Sequence, residues 1–254
     1  MNDLIDLTGQ RVLVTGGSRG IGAACCRLFA RAGAAVLVHY RSNHAAAEAV
    51  LAELWSINGE PHHRFAADLA DPAGVDALFA FLDREWGSLD CLVNNAGIWE
   101  ENPIADLDLG RLEETWRINV TAPFLCARAA VPFLRRSPDG SIVNLTSTSG
   151  QRGEARYSPY SASKGALISA TKAWSSELAP EIRVNSVAPG WVDTDMCAEP
   201  FADGGREAIA AGIPLGRVAT PEEIAGPVVF LASPLARHVT GEILNVNGGS
   251  VLVG

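Results

Sequence analysis

The chain has 254 residues, with 20 basic against 29 acidic side chains and a formal net charge of −9. At roughly 100 to 200 residues per domain that length fits one large domain or two small ones, and a 48% hydrophobic, 19% charged composition excludes wholesale disorder. Net acidity without a basic stripe argues against nucleic-acid and anionic-membrane partners, which recruit basic surface to displace counterions.

The start of the chain, Met1 to Asp6, is acidic where a secretory leader would be basic, and no apolar run approaches about 18 residues. The cysteines, Cys25, Cys26, Cys91, Cys126 and Cys197, form no CxxC pair and no Cys/His cluster at metal-ligand spacing. They read as reduced thiols, no metal site is implied, and the expectation is a soluble cytoplasmic protein.

Apolar runs at 11–15, 35–39, 89–94, 141–145, 183–188 and 243–246 read as buried strands. Between them, stretches of helical period cover about 21–32, 44–58, 72–86, 111–136, 158–179 and 221–233. Strand and helix alternating in this way predict right-handed crossovers, hence an α/β, doubly wound parallel sheet with helices on both faces. Thr220-Pro221-Glu222-Glu223 carries a capping box that starts the last helix. The least regular stretch, about 193–215, is long for a plain connection and predicts a lid or binding loop. With no linker, charge block or internal repeat, one domain over 1–254 is the economical reading.

The first strand runs into Thr15-Gly16-Gly17-Ser18-Arg19-Gly20-Ile21-Gly22 and then directly into a helix. A strand turning through glycines into a helix N-terminus lets phosphate approach the backbone and meet free N–H groups at the positive end of the dipole. The spacing is TGxxxGxG, not GxGxxG, because Cys25 stands where a Gly or Ala would be needed. In the helix at 158–179, a period of about 100° aligns Tyr160, Lys164, Leu167, Thr171, Trp174 and Leu178 on one stripe. Lys164 on that apolar stripe could simply extend its stem along the core and wet its amine. A tyrosine one turn earlier points instead to proton transfer: a phenol working near neutral pH needs roughly three units of help, about 4 kcal/mol, and an ammonium supplies part of it. Tyr157 lacks this arrangement, since Ser161 lies four residues on. His62-His63 has no HExxH partner and reads as a solvated or packed pair.

The glycine turn is accompanied, in order, by Asp68-Leu69, Asn94-Asn95-Ala96-Gly97, Asn119, Ser147, Tyr160-x-x-x-Lys164, Pro189-Gly190, Pro214-Leu215-Gly216-Arg217 and Asn247-Gly248-Gly249. This set resembles the short-chain dehydrogenase/reductase family over essentially the whole chain, in particular its 3-oxoacyl-(acyl-carrier-protein) reductase branch and glucose 1-dehydrogenase-like members. The resemblance implies a Rossmann-type sheet of about seven strands and an NAD(P)-dependent oxidoreductase acting on a ketone or secondary alcohol. It makes Tyr160 the acid/base, Lys164 the holder of the nicotinamide ribose, Ser147 the partner of the substrate oxygen, and Asn119 the residue positioning a water between Lys164 and solvent. Cofactor contacts are implied for Gly16, Ser18, Arg19, Gly20, Ile21, Gly22, Tyr40, Arg41, Ser42, Asp68, Leu69, Asn95, Ala96, Gly97, Pro189, Gly190, Val192 and Thr194.

After the second strand, His39-Tyr40-Arg41-Ser42 offers no carboxylate for a ribose 2'-hydroxyl, while Arg41 and Arg19 can converge on a 2'-phosphate. NADP(H) is therefore the expected cofactor, with NAD(H) possible. Trp191, Glu154, Arg152 and residues 196–215 are expected to line the pocket for a small carbonyl or alcohol. An acyl-carrier partner is acidic; Arg135, Arg136 and Arg152 could compensate, yet a −9 chain would repel it at long range, so acyl-carrier substrates stay open without being favoured over sugar or other alcohols. The family implies a homotetramer built through the long helices and the C-terminal region. The competing reading is a catalytically idle NADP-binding sensor or scaffold.

Overall fold

The computed structural model describes residues 4–253. Its strands are β1 (Arg11–Val14), β2 (Ala35–Tyr40), β3 (His63–Ala66), β4 (Cys91–Asn94), β5 (Gly140–Leu145), β6 (Ile182–Pro189) and β7 (Ile243–Val246). They form one parallel sheet in the order β3-β2-β1-β4-β5-β6-β7. The chain winds outward from β1 in one direction and from β4 in the other, so a crevice opens at the carboxyl ends where the two halves part.

Alternate residues of each strand feed opposite cores, as the period of two requires. Val12, Val14, Val36, Val38, Cys91 and Val93 face α1 (Gly20–Arg31), α2 (His44–Ile57) and, beyond them, α9 (Pro221–Ala232). Leu13, Leu37, Leu92, Ile142 and Val184 face α3 (Pro72–Glu85), α5 (Ala122–Leu134) and α7 (Ser158–Glu177). Strands buried on both sides have no polar face to show, which is why their runs are continuously apolar. Thr220 and Glu223 form the expected reciprocal cap of α9.

The structure departs from the sequence expectation in three places. The edge strand β3 alternates half-buried and exposed residues and carries His63 and Arg64, so it lacks an apolar run. The helix expected over 111–136 is two, α4 (Leu109–Trp116) and α5, joined by a π-helical turn at Arg117–Thr121. Two short helices, α6 (Thr148–Arg152) and α8 (Gly205–Ala211), occupy segments without a helical pattern long enough to read. No helix among the described residues is long and apolar enough to cross a membrane.

Two histidines serve the sheet as hydrogen-bond acceptors. His39 Nδ1 accepts from Gly16 N at 3.2 Å while its Nε2 meets Ala67 O at 3.0 Å. His62 Nδ1 accepts from Val36 N at 3.1 Å, with Nε2 meeting Asn58 Oδ1 at 2.6 Å. His63 lies half-buried against Phe81 and Trp86, so the pair at 62–63 is packed. Only a neutral imidazole can accept, and burial pushes His39 and His62 each down to about 4. Their unfolded values lie near 6.5, so the unfolded chain takes up protons first and stability is lost as pH falls from about 6.5 to about 4. Thermal unfolding should show Tm lowered by roughly 5 °C or more between pH 7 and pH 5. His39→Gln, which accepts without titrating, should make that fall shallower; an unchanged slope would refute the assignment.

Candidate active site

A cavity of about 840 Å³ lies at the carboxyl ends of the strands. Every residue expected to bind the cofactor lines it, and so do Ser147, Tyr160 and Lys164. At its floor the glycine turn bends away from β1 with Gly16 at φ 64° and Gly20 at φ 53°, conformations that a side chain resists. A Cβ on Gly22 would stand 2.2 Å from the Gly16 carbonyl oxygen, so α1 can approach the turn only without one.

The turn is held from outside. Thr15 Oγ1 accepts from Asn95 N and Ala96 N at 2.9 and 3.0 Å, and Asn95 Nδ2 donates to Thr15 O at 2.8 Å and Gly16 O at 3.1 Å. His39 takes the Gly16 N–H, as described above. This last partner lies at the end of β2, and nothing in its local sequence marks it as part of the turn.

Near the adenosine end expected from the sequence, Arg41 Nη1 lies 4.0 Å from Glu114 Oε1, and Arg19 Nη1 lies 3.7 Å from Asp195 Oδ2. Both are loose, largely exposed pairs that solvent screens, so either guanidinium can exchange its carboxylate for a phosphate at little cost. Tyr40 is buried and its hydroxyl is engaged by His44 Nδ1 at 2.8 Å and Arg64 Nη1 at 2.9 Å. Asp68 Oδ1 accepts from Ala70 N at 2.9 Å, fixing the turn after β3.

At the other end, α7 presents Tyr160 and Lys164 one turn apart. Lys164 is only 6% exposed, donates to Leu145 O at 2.8 Å, and sits 5.8 Å from the Tyr160 ring centroid. Burial draws its ammonium down to about 8. Burial also pushes the Tyr160 hydroxyl up to about 12; the Ser147 hydroxyl pulls it back and the Glu154 carboxylate adds to the rise. Tyr160 therefore stands protonated at neutral pH. Ser147 caps α6, its Oγ accepting from Ser149 N at 3.1 Å.

Of the four expected catalytic residues, Asn119 alone does not line the cavity. It lies in the π-helical turn, with Oδ1 accepting from Ile98 N at 2.9 Å and Nδ2 donating to Ile98 O at 2.9 Å and Ser163 Oγ at 3.1 Å. It thereby ties the segment after β4 to α7. Gly97 lies in the slot above: a Cβ there would come within 3.2 Å of Asn119 Oδ1 and 3.5 Å of Lys164 Nζ.

Of the expected substrate-side residues, Trp191, Arg152, Met196, Cys197 and Ile209 line the cavity, while Glu154 does not and accepts from Ser149 Oγ at 2.5 Å. Several contributors escaped the sequence reading. Trp99 lines the cavity, stacks on Tyr157 at 4.4 Å and 7°, and meets Trp191 edge to face at 5.9 Å. Arg156, left-handed at φ 72°, is clasped by Glu101, and its carbonyl accepts from Asn102 N at 2.9 Å, joining the loops that bear Trp99 and Tyr157. Gly150 lets α6 cross α7, because a Cβ there would stand 2.6 Å from the Lys164 carbonyl carbon.

Residues 16–250 match the family model described as Enoyl-(Acyl carrier protein) reductase. The chain is 39% identical over 248 residues to a 3-oxoacyl-(acyl-carrier-protein) reductase of Synechocystis sp., covering 97% of this chain and 98% of the relative. It is 36% identical over 250 residues to the corresponding reductase of Vibrio cholerae, covering 98% and 100%. A solved short-chain dehydrogenase/reductase of glucose/ribitol dehydrogenase type from Brucella melitensis superposes with a TM-score of 0.93 at 33% identity, covering 98% of this chain and 99% of the other.

Gly150→Ala should force α6 off the helix that carries Tyr160 and Lys164. Overpacking at such a crossing costs about 1–3 kcal/mol, so a lower Tm together with reduced activity is expected. A variant with wild-type Tm and activity would show that the crossing has slack.

Proposed function

This chain belongs to the short-chain dehydrogenase/reductase family, and on that premise we propose that it transfers hydride between NADP(H) and a ketone or secondary alcohol, with Tyr160 as the acid/base. The observation that carries the reading is one cavity with a phosphate-ready glycine turn at one end and Ser147, Tyr160 and Lys164 at the other. The fit to a nicotinamide dinucleotide rests on features of this chain. The bare glycines of the turn leave room for phosphate, Arg19 and Arg41 hold only exchangeable partners, and Lys164 keeps N–H donors beyond the one given to Leu145 O for ribose hydroxyls.

When bound, the nicotinamide supplies or takes up the hydride at the substrate carbon. Ser147 donates to the substrate oxygen and holds it toward Tyr160. Tyr160 gives its proton to that oxygen as C=O becomes CH–OH, and recovers it from solvent. A hydroxyl held near 12 is in the acid form that reduction needs. In the oxidative direction it must ionise, and the Lys164 charge, still largely present at pH 7 with a value near 8, favours that ionisation. An idle sensor or scaffold has no need to bury an ammonium beside a phenol, and no observation favours it.

The absence of a carboxylate at the end of β2, with two arginines near the cavity mouth, supports NADP(H) over NAD(H), which remains usable. The substrate reading spans 3-oxoacyl thioesters and sugar or polyol alcohols. We also infer a homotetramer, supported by the partly exposed Trp116 and Phe124 near α7 and by Leu252 at 88% exposure. The free cysteines, four of them buried, support a cytoplasmic setting.

Tyr160→Phe should lower kcat by about 10²- to 10⁴-fold while leaving NADPH affinity, read by fluorescence titration, nearly unchanged. Substantial retained turnover would remove Tyr160 from proton transfer. Arg41→Asp should lower the NADPH to NADH ratio of kcat/KM by about tenfold or more, about 1.4 kcal/mol. An unchanged ratio would show that Arg41 does not read the 2'-phosphate.

A further inference from the structure

The substrate end of the cavity is built for hydrocarbon. Around Ser147 and Tyr160 its lining includes Ile98, Trp99, Trp191, Met196, Ile209 and Ile213. Ser149 lines the same space, and its hydroxyl already donates a hydrogen bond to Glu154. A polyol brings a hydroxyl on nearly every carbon, and each one left without a partner costs about 1–3 kcal/mol. Beyond the reacting oxygen, this wall offers few partners. Its indoles are also fixed in place: Trp99 is backed by Tyr157 and braced by Trp191, and the Glu101–Arg156 clasp holds the two loops together.

Among the polar groups that line the same space, Thr148 and Ser149 included, one is a guanidinium. Arg152 ends α6 and lines the cavity, and its side chain makes no ion pair or hydrogen bond among the described residues. Of the other cavity-lining cations, Lys164 donates to Leu145 O, and Arg19 and Arg41 stand in loose pairs with Asp195 and Glu114 near the expected adenosine end. A guanidinium at the edge of an apolar compartment, presenting a planar fork of donors, matches a carboxylate or phosphate.

We propose that the substrate is a ketone with an apolar body and an anionic end, the body lying against the Trp99 and Trp191 indoles and the anion meeting Arg152. The assignment rests on the carbonyl-reductase reading above. It narrows that reading away from neutral sugars, and the shared chemistry of the anion covers both a carboxylate and the phosphate of a pantetheine thioester.

The test is kcat/KM with NADPH for matched pairs, on the wild type, Arg152→Gln and Arg152→Lys. One pair is a 3-oxobutanoyl coenzyme A thioester against its neutral N-acetylcysteamine thioester, and the other is a 3-oxo carboxylate against its methyl ester. Glucose and ribitol are run oxidatively with NADP⁺. In the wild type at least one anionic member should lead its neutral partner by about tenfold, and whichever pair does so identifies phosphate or carboxylate. Arg152→Gln should bring that ratio to within about twofold through loss on the anionic member, as should raising the salt to about 0.5 M. Arg152→Lys should keep most of it. Equal ratios in the wild type and Arg152→Gln, or a sugar outpacing every ketone, would overturn the proposal while leaving hydride transfer standing. A panel silent with every member would overturn both.

Discussion

An ammonium held out of water organises the catalytic half of this protein. A buried charge is tolerated only where acceptors are brought to it, and Lys164 finds one in the carbonyl of Leu145, the last residue of β5. That contact requires α7 to lie across the end of β5. The crossing is secured by a buried relay in which Asn94 donates to Asn144, Asn144 to Thr171, and Thr171 back to the Leu167 carbonyl. Gly150 and Gly97 are bare on the two sides from which a side chain would push α6 or the segment after β4 away from the lysine. The depressed lysine and the elevated tyrosine have one origin, the same desolvation acting on a base and an acid, which keeps the cation close to ionisation balance and the phenol firmly protonated.

The far end of the cavity is shaped by borrowed partners. The glycine turn cannot hold itself, because glycines contribute neither packing nor side-chain hydrogen bonds. Thr15, Asn95 and His39 supply those from just after β1, the segment after β4, and β2. Residues 95–98 consequently touch both ends: Asn95 braces the turn, while Gly97 and Ile98 abut Lys164 and Asn119. The glycine turn and the surroundings of Lys164 are thus mounted on one short stretch of chain at the point where the sheet changes winding direction.

Much of this architecture is legible in the sequence, because the two-sided burial of a parallel sheet writes long apolar runs and the interleaved helices write their own period. β3 is hidden for the opposite reason: at the sheet edge only one face is buried, and His63-Arg64-Phe65-Ala66 carries too little hydrocarbon to register. Ser147, Tyr160 and Lys164 are visible because their chemistry is local to two adjoining segments. His39, Trp99 and Gly150 are not, since what each does depends on a partner many residues away or on another helix. Arg156 is hidden differently, because a left-handed backbone leaves no trace in the identity of an arginine.

The π-helical turn at Arg117–Thr121 holds one more residue than an α-turn would, and such a widening is equivalent to a single-residue insertion into a continuous helix. Every side chain downstream is rotated by about 100° relative to those upstream, so α4 and α5 present different stripes although they share one axis of chain. Asn119 sits within the widened ring, where its amide spans the Ile98 backbone and reaches Ser163. Its position is therefore encoded by chain length as much as by residue type: removing any one residue of the turn, even one that touches nothing, would restore the regular spiral and turn the asparagine out of phase with α7.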